Sequence, residues 1–398
     1  MPVNVATPIE PADFPWYDYR GFTFSLGLQV DGHVLNSGHS GSAFDPIKGK
    51  PDVTGGMAEQ AQIAYAKQAA VLAAAGLSIG DVTRVVENVT IDGLAHYAGA
   101  EQVRRTVFAG HEPVVVTVVV DRLVRRKALI EVEVHASPAG GPALVLGGEG
   151  RWRRGTVREG HDGAVYLPTM LPLDAAGELV ASGDIAGQYA YCLQRAGELL
   201  DAAGLSIAQV VSTVDYSTPA TREEYPRTAR ARRDLLGPVY PTAAGILMSR
   251  LHEPGVLVAV DVVASRHTPI AVNPGWSRYE TLTYNPGVRA GNTLYMSGFA
   301  SLDMRTQQAM HAGDLRGQAE QTYGAIRQTM DAAGASQLLS TVEYVTPGAL
   351  PAYREVAEVR RALLREPYPT STGIVCGGLL RPEFLLEVVP SALIPGSS

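Results

Sequence analysis

Glu131, Glu133 and His135 alternate along one apolar run, so all three side chains point to the same face of a strand. A carboxylate and an imidazole on one face can hold a water and take its proton. His39 follows Ser37-Gly38 in a glycine-rich stretch and, titrating near neutral pH, suits general acid–base work. Tyr284, Ser297, Ser371 and Thr372 supply hydroxyls that could hold a carboxylate or carbonyl in a cleft built with the third part of the chain. Tyr-x6-Arg-Arg occurs three times, at Tyr97 with Arg104-Arg105, Tyr225 with Arg232-Arg233 and Tyr353 with Arg360-Arg361. Arginines near a helix C-terminus favour its dipole, and this pattern reads as structural, pairing with carboxylates of the preceding helix. The chain has no HExxH, CxxC, P-loop, GxGxxG or GxSxG motif, so neither a metal nor a nucleotide cofactor is expected.

The elements that must position these residues are repeated. Val71-Leu-Ala-Ala-Ala-Gly-Leu-Ser-Ile-Gly, Leu199-Leu-Asp-Ala-Ala-Gly-Leu-Ser-Ile-Ala and Thr329-Met-Asp-Ala-Ala-Gly-Ala-Ser are three copies of one helix ending. Each is stopped by a glycine (Gly76, Gly204, Gly334), which takes the left-handed conformation without a Cβ clash. A β-branched run follows each stop. Such regular spacing is an internal repeat.

Taken in order, the first copy begins after an aromatic- and proline-bearing extension at residues 1–19. A hairpin with Asp31-Gly32 at its turn leads to a helix over 58–75, a strand over 83–91, a second helix over 94–108 and strands over 114–120 and 128–136. The second copy predicts helices over 185–203 and 222–236, and the third over 315–333 and 350–364. Proline- and glycine-bearing linkers separate the copies. Three ββαβαββ units result, at 20–140, 147–268 and 277–394. Two helices on one face of a mostly antiparallel sheet make an α+β layer. The strands carry apolar residues on both faces, so the three sheets are expected to bury their free faces against one another, as an intramolecular pseudo-trimer.

Composition narrows the function. Apolar residues make up 46% and charged residues 18% of 398, with net charge −7, which fits a globular protein and offers no basic face for nucleic acid or an anionic membrane. Two cysteines in helix- and strand-like runs argue against a disulfide framework, and no apolar run reaches the roughly 20 residues of a membrane helix. The N-terminus lacks a basic start and an apolar core. A cytoplasmic location is the default these features suggest.

Tyr284-Asn-Pro-Gly-Val-Arg-Ala-Gly-Asn-Thr-Leu-Tyr-Met-Ser-Gly resembles the N-terminal hairpin of the RidA/YjgF/UK114 family. Gln318, Asp331-Ala-Ala-Gly, Tyr368-Pro-Thr-Ser-Thr-Gly, Leu379-Leu-Arg-Pro and Leu386-Glu-Val-Val continue in that family's order. The likeness covers the third unit and, more weakly, the other two. It implies a chorismate-mutase-like fold, homotrimers with ligand clefts between subunits, and here such a trimer fused into one chain. It also implies hydrolysis of reactive enamines or imines to a keto acid and ammonia without a cofactor. In the family an arginine clamps the substrate carboxylate, and a glutamate holds the attacking water.

This chain departs from that pattern. The clamp position, two residues past Pro113, Pro241 and Pro369, holds Val115, Ala243 and Ser371. The family glutamate is read at Glu133, Asp261 and Val389. The serine of the Ser-Gly loop is kept as Ser37 and Ser297 but is Pro168 in the second unit, and the family tyrosine only as Tyr284. The expectation is therefore a RidA-like enzyme acting on a small enamine, imine or related carbonyl metabolite, with one specialised cleft. Glu133, His39 and His135 are its acid–base candidates. Ser37, Tyr284, Ser297, Ser371, Thr372, Thr117 and Asp261 are its ligand contacts. The alternatives are a non-hydrolytic biosynthetic enzyme, cyclising or isomerising its substrate, and a non-catalytic metabolite binder. The partner expected is a small molecule, not nucleic acid or membrane, and three-fold closure predicts a monomer.

Overall fold

A computed structural model describes residues 5–148 and 150–396. It contains three large sheets, one for each copy. In the first, the strands run in the order Thr7–Pro8, Gly27–Val30, His33–Asn36, Ile130–Ala136, Val82–Thr90, Val114–Val120. All neighbours are antiparallel except the last two, which are parallel. The second and third sheets repeat this order with Val210–Ser217 beside Thr242–Leu247 and Gln337–Val345 beside Thr370–Val375. The units are also stitched together. Gly378–Leu379 of the third joins the second sheet, and Arg122–Leu123 of the first joins the third.

Local rules explain most elements. Asp31 and Gly32 both take positive φ, the primed turn that matches strand twist. The long helices run Met57–Ala74, Ile185–Ala202 and Leu315–Ala333, and Gly76, Gly204 and Gly334 follow them with φ of 77°, 72° and 67°. Asp184 and Asp314 cap the second and third through the N–H groups of Ala186 and Gly317. Each long helix carries a buried glutamine (Gln60, Gln188, Gln318) whose amide holds the loop before the last strand. For Gln318, Nε2 donates to the Glu383 carbonyl at 2.8 Å and Oε1 accepts from Leu385 N at 2.7 Å.

Three expectations need correction. The helix read over 222–236 is helical only at Ala229–Leu235, after a 3₁₀ turn at Tyr225–Thr228, because Pro226 has no N–H to continue a helix backwards. The linkers are not loops alone. Ala143–Val145 and Ile270–Val272 add an edge strand to the following sheet, as Thr7–Pro8 does to the first. The Tyr-x6-Arg-Arg pattern pairs with strand carboxylates, not with those of the first helix. Arg104 and Tyr97 close on Glu87, Arg232 and Tyr225 on Asp215, and Arg360 and Tyr353 on Glu343. These are fully buried carboxylates, and each also meets a tyrosine from the long helix: Tyr65, Tyr189 or Tyr323. A buried charge needs such a partner and further hydrogen bonds to be tolerated.

Three apolar cores lie between helices and sheet, one per unit. A fourth gathers residues of all three units where the sheets face each other, among them Val116, Val120, Ile246, Met248, Tyr344 and Ile374. The free faces are thus buried on a pseudo-three-fold axis.

Candidate functional site

Register makes equivalent positions explicit. The Ser-Gly loop of each unit meets the strand after its neighbour's second helix, which gives three clefts and three chemistries.

Between units 1 and 3, Ser371 N donates to Ser37 Oγ at 2.9 Å and Gly38 N to Thr372 Oγ1 at 3.1 Å. Thr372 in turn donates to Glu133 at 2.6 Å, and Arg360 donates to Ser371 Oγ at 3.1 Å. Glu131 lies against the loop, its Oε1 only 2.5 Å from where a Cβ on Gly38 would stand. Its carboxylate bonds to no other described residue. Burial pushes it up, Lys67 and Arg125 counter this, Glu133 adds to it, and the carboxyl sits at about 7. Lys67 is fully buried, donating to the Ser40 carbonyl at 2.7 Å and to Ser42 Oγ at 3.2 Å. Burial and then Arg125 lower its ammonium to about 7. His39 is also buried, with Nδ1 3.1 Å from Tyr17 Oη. Burial and the Lys67 charge push the imidazole down to about 3, so it is neutral at physiological pH.

Between units 3 and 2, the bond to the loop serine recurs, while the loop glycine turns to a backbone carbonyl. Ala243 N donates to Ser297 Oγ and Gly298 N to the Ala243 carbonyl, both at 3.0 Å. Glu387 takes the place of Glu131, since Ala300 faces Glu387 as Ser40 faces Glu131. A Cβ on Gly298 would overlap Glu387 Oε1. This carboxyl also bonds to no described residue, and burial alone pushes it up to about 8. Small residues, Ala243 and Ala244, stand opposite. Arg278 lies over the Tyr279 ring and donates to Tyr284 Oη at 3.3 Å, while its buried Nε has no partner. Tyr279 feels the charges of both Arg278 and Glu387.

Between units 2 and 1 the cleft is closed. Thr169 replaces the glycine of the loop, and its hydroxyl accepts from Thr117 N at 2.8 Å and donates to the Thr117 carbonyl at 3.1 Å. Arg154 donates to Thr117 Oγ1 at 2.9 Å, and His252 Nε2 lies 2.8 Å from the Thr117 carbonyl. Trp152 stacks on Tyr97 with an interplanar angle of 1°. Ala259 stands where the other units carry glutamate.

The residues singled out by sequence are therefore dispersed. Ser37, Ser371 and Thr372 meet in one cleft, Tyr284 and Ser297 belong to another, and Thr117 is in the closed one. Glu133 and His135 do come together, with Nε2 3.2 Å from Oε1, but on the axis with Asp261, and away from His39. Burial would raise Glu133, yet the bonds from His135 and Thr372 and the nearby Arg84 hold it below its ordinary value. The groups that abut the Ser-Gly loops are Glu131 and Glu387. Aligning Leu129-Ile-Glu131-Val with Leu385-Leu-Glu387-Val within the chain carries that signal.

The family model for endoribonuclease L-PSP matches residues 22–137 and 278–394, and the chain belongs to this family, that of RidA and YjgF. Among solved structures, a chorismatase is similar over 79% of this chain and 93% of its own, with 15% identity and a TM-score of 0.53. At that identity the likeness is one of fold. Single-unit relatives include TdcF of E. coli with bound serine, 25% identical over 33% of this chain and 98% of that one, TM-score 0.28. RidA of the Antarctic bacterium Psychrobacter sp. is 28% identical over 29% and 90%, TM-score 0.27. Family and fold make this a small-metabolite-handling protein. Among the described residues no helix is long and apolar enough to cross a membrane.

Proposed function

We propose that the protein is an acid–base hydrolase of a small, carboxylate-bearing enamine or enol ether, with Glu387 as its proton donor. The observation that carries this is the Glu387 carboxyl, buried without a counter-charge and raised to about 8. A carboxylic acid kept neutral at pH 7 can protonate the methylene carbon of a vinylic substrate. The resulting iminium or oxocarbenium carbon takes up water, whose proton returns to the carboxylate. Collapse releases ammonia or an alcohol and leaves a keto acid. Arg278, with an unmatched Nε, supplies the positive charge that the family clamp position lacks, and Tyr284 adds a hydroxyl. The chain-long likeness to a chorismatase supports including an enol ether among the substrates.

A second reading moves the same chemistry to Glu131 and Lys67, because these two groups of opposite sign share the 1–3 cleft with both pushed near 7. One experiment separates them. Ammonia release from 2-aminoacrylate and keto-acid release from chorismate are followed for the wild type, Glu387→Gln, Glu131→Gln and Arg278→Met. Glu387→Gln is expected to lower kcat at least 100-fold, with Arg278→Met raising KM. Loss with Glu131→Gln alone transfers the site to the 1–3 cleft. Turnover of neither compound would sink the hydrolase reading.

A further inference from the structure

The axial cavity adjoins the 1–3 cleft at Thr372, which lines both, but is otherwise walled by strand faces turned to the axis. Its volume is about 140 Å³ and all three units line it. That is roughly ten times the 10–15 Å³ one water requires. Pairing register arranges the lining in layers of equivalent positions. Arg84, Ser212 and Ser340 form one, Glu133, Asp261 and Val389 another, and Val86, Val214 and Val342 a third.

Had the cavity been mere packing, its polar groups would be expected to bond one another. Several do. Arg84 Nη2 reaches Asp261 at 2.5 Å, Tyr216 and Tyr344 hydroxyls lie 2.8 Å apart, Ser340 and Ser391 2.6 Å apart, and His135 Nδ1 lies 3.2 Å from Tyr166 Oη. Four do not. The Asn88 amide, Ser212 hydroxyl and Tyr295 hydroxyl make no hydrogen bond to another described residue, and Arg84, lying over the Tyr166 ring, bonds through Nη2 and buries Nε, which leaves Nη1 without a described partner. Arg84 and Tyr295 lie in one another's field. Units 1, 2 and 3 each contribute to this unbonded set, so the groups share one cavity only because the three sheets meet.

Charge selects the ligand. Arg84 is matched by Asp261, and Glu133 is held ionised, so the lining has no positive surplus for a carboxylate. Asp261 Oδ1 is buried away from the cavity space, and both Glu133 oxygens are already bonded to His135 and Thr372. An ammonium would therefore find no free anion. Free N–H and O–H donors over valine walls suit a neutral acceptor.

We infer that the axial cavity is a binding site for a small neutral carbonyl compound with an apolar body. Its carbonyl oxygen accepts from Arg84, with Ser212 and Tyr295 at the same register level, and Asn88 lies further along the wall.

Benzamide, benzoate and benzylamine are the probes, used with the full chain in titration calorimetry and in crystals. Benzamide is expected to occupy the axis with its oxygen at the Arg84 guanidinium, and to bind at least ten-fold more tightly than either charged analogue. Arg84→Met should abolish this. Because that variant also strands Asp261 and could unfold, Ser212→Leu is the second variant, filling the cavity from a position that bonds to nothing. It should remove benzamide binding while leaving the circular dichroism spectrum intact. Ordered waters alone on the axis at saturating benzamide overturn the inference. So does benzoate binding as tightly, or binding that survives Ser212→Leu.

Discussion

Replacing Glu387 by glutamine should change how stability depends on pH, and the size follows from the structure. The carboxyl titrates at about 8 when folded against an ordinary 4.5. Between these values the folded protein holds a proton that the unfolded chain has released. Stability then falls as pH rises, by about 1.4 kcal/mol per pH unit. The whole rise is worth about 5 kcal/mol, fully felt above pH 8 and absent below pH 4.5. Glutamine keeps the shape and removes the titration. Urea unfolding of both proteins at pH 5, 6, 7 and 8 gives the test. The variant should gain on the wild type by about 1.2–1.3 kcal/mol in each of the first two steps and by about 1 kcal/mol in the last, where the folded carboxyl itself begins to ionise, whatever constant offset the amide introduces. Parallel curves would mean that the carboxyl is solvated, and the proton-donor role would fall with it.

Other outcomes follow from single contacts. Arg360→Met leaves the Glu343 carboxylate buried and unpaired, and should cost about 3–5 kcal/mol in urea unfolding. A Glu343→Leu, Arg360→Met double variant should recover much of that, and if it does not, the pair is not the source of the loss. Gly298→Ala puts a Cβ on the Glu387 carboxyl and should remove activity, judged by the same keto-acid assay. Gly324→Ala, in the helix Leu315–Ala333 with nothing near its Cβ, should instead raise stability by about 0.5–1 kcal/mol. Light scattering should give a mass near 42.2 kDa, and a multiple of it would show that the fused trimer still associates.

Much of the fold was legible because it depends on short-range rules applied three times. Helix Leu315–Ala333 has the bounds its apolar stripe and Gly334 predict, and the hairpin turn at Asp31-Gly32 follows from two residues that tolerate positive φ. At Pro226 the missing N–H shortens the second helix of unit 2 to Ala229–Leu235, against the longer span its apolar periodicity predicts. The three carboxylate–tyrosine–arginine clusters were half legible. Recurrence marked Tyr97 and Arg104 as structural, but their partner Glu87 lies on a strand whose distance from the helix no spacing reveals.

The functional residues divide in the same way. The sequence by itself determined the repeat, the α+β unit, the family and the inequality of the clefts, since each is carried by residue identity at a repeated position. Only the tertiary structure decided which residues share a space. Strand alternation puts Glu131 and Glu133 on one face, yet one abuts the Gly38 loop and the other lines the axis, because the neighbouring unit covers them differently. Burial, which raises Glu387 and lowers Lys67 and His39, is likewise a property of what the other units bring against a side chain. Desolvation acts through space, and a sequence records only order along the chain.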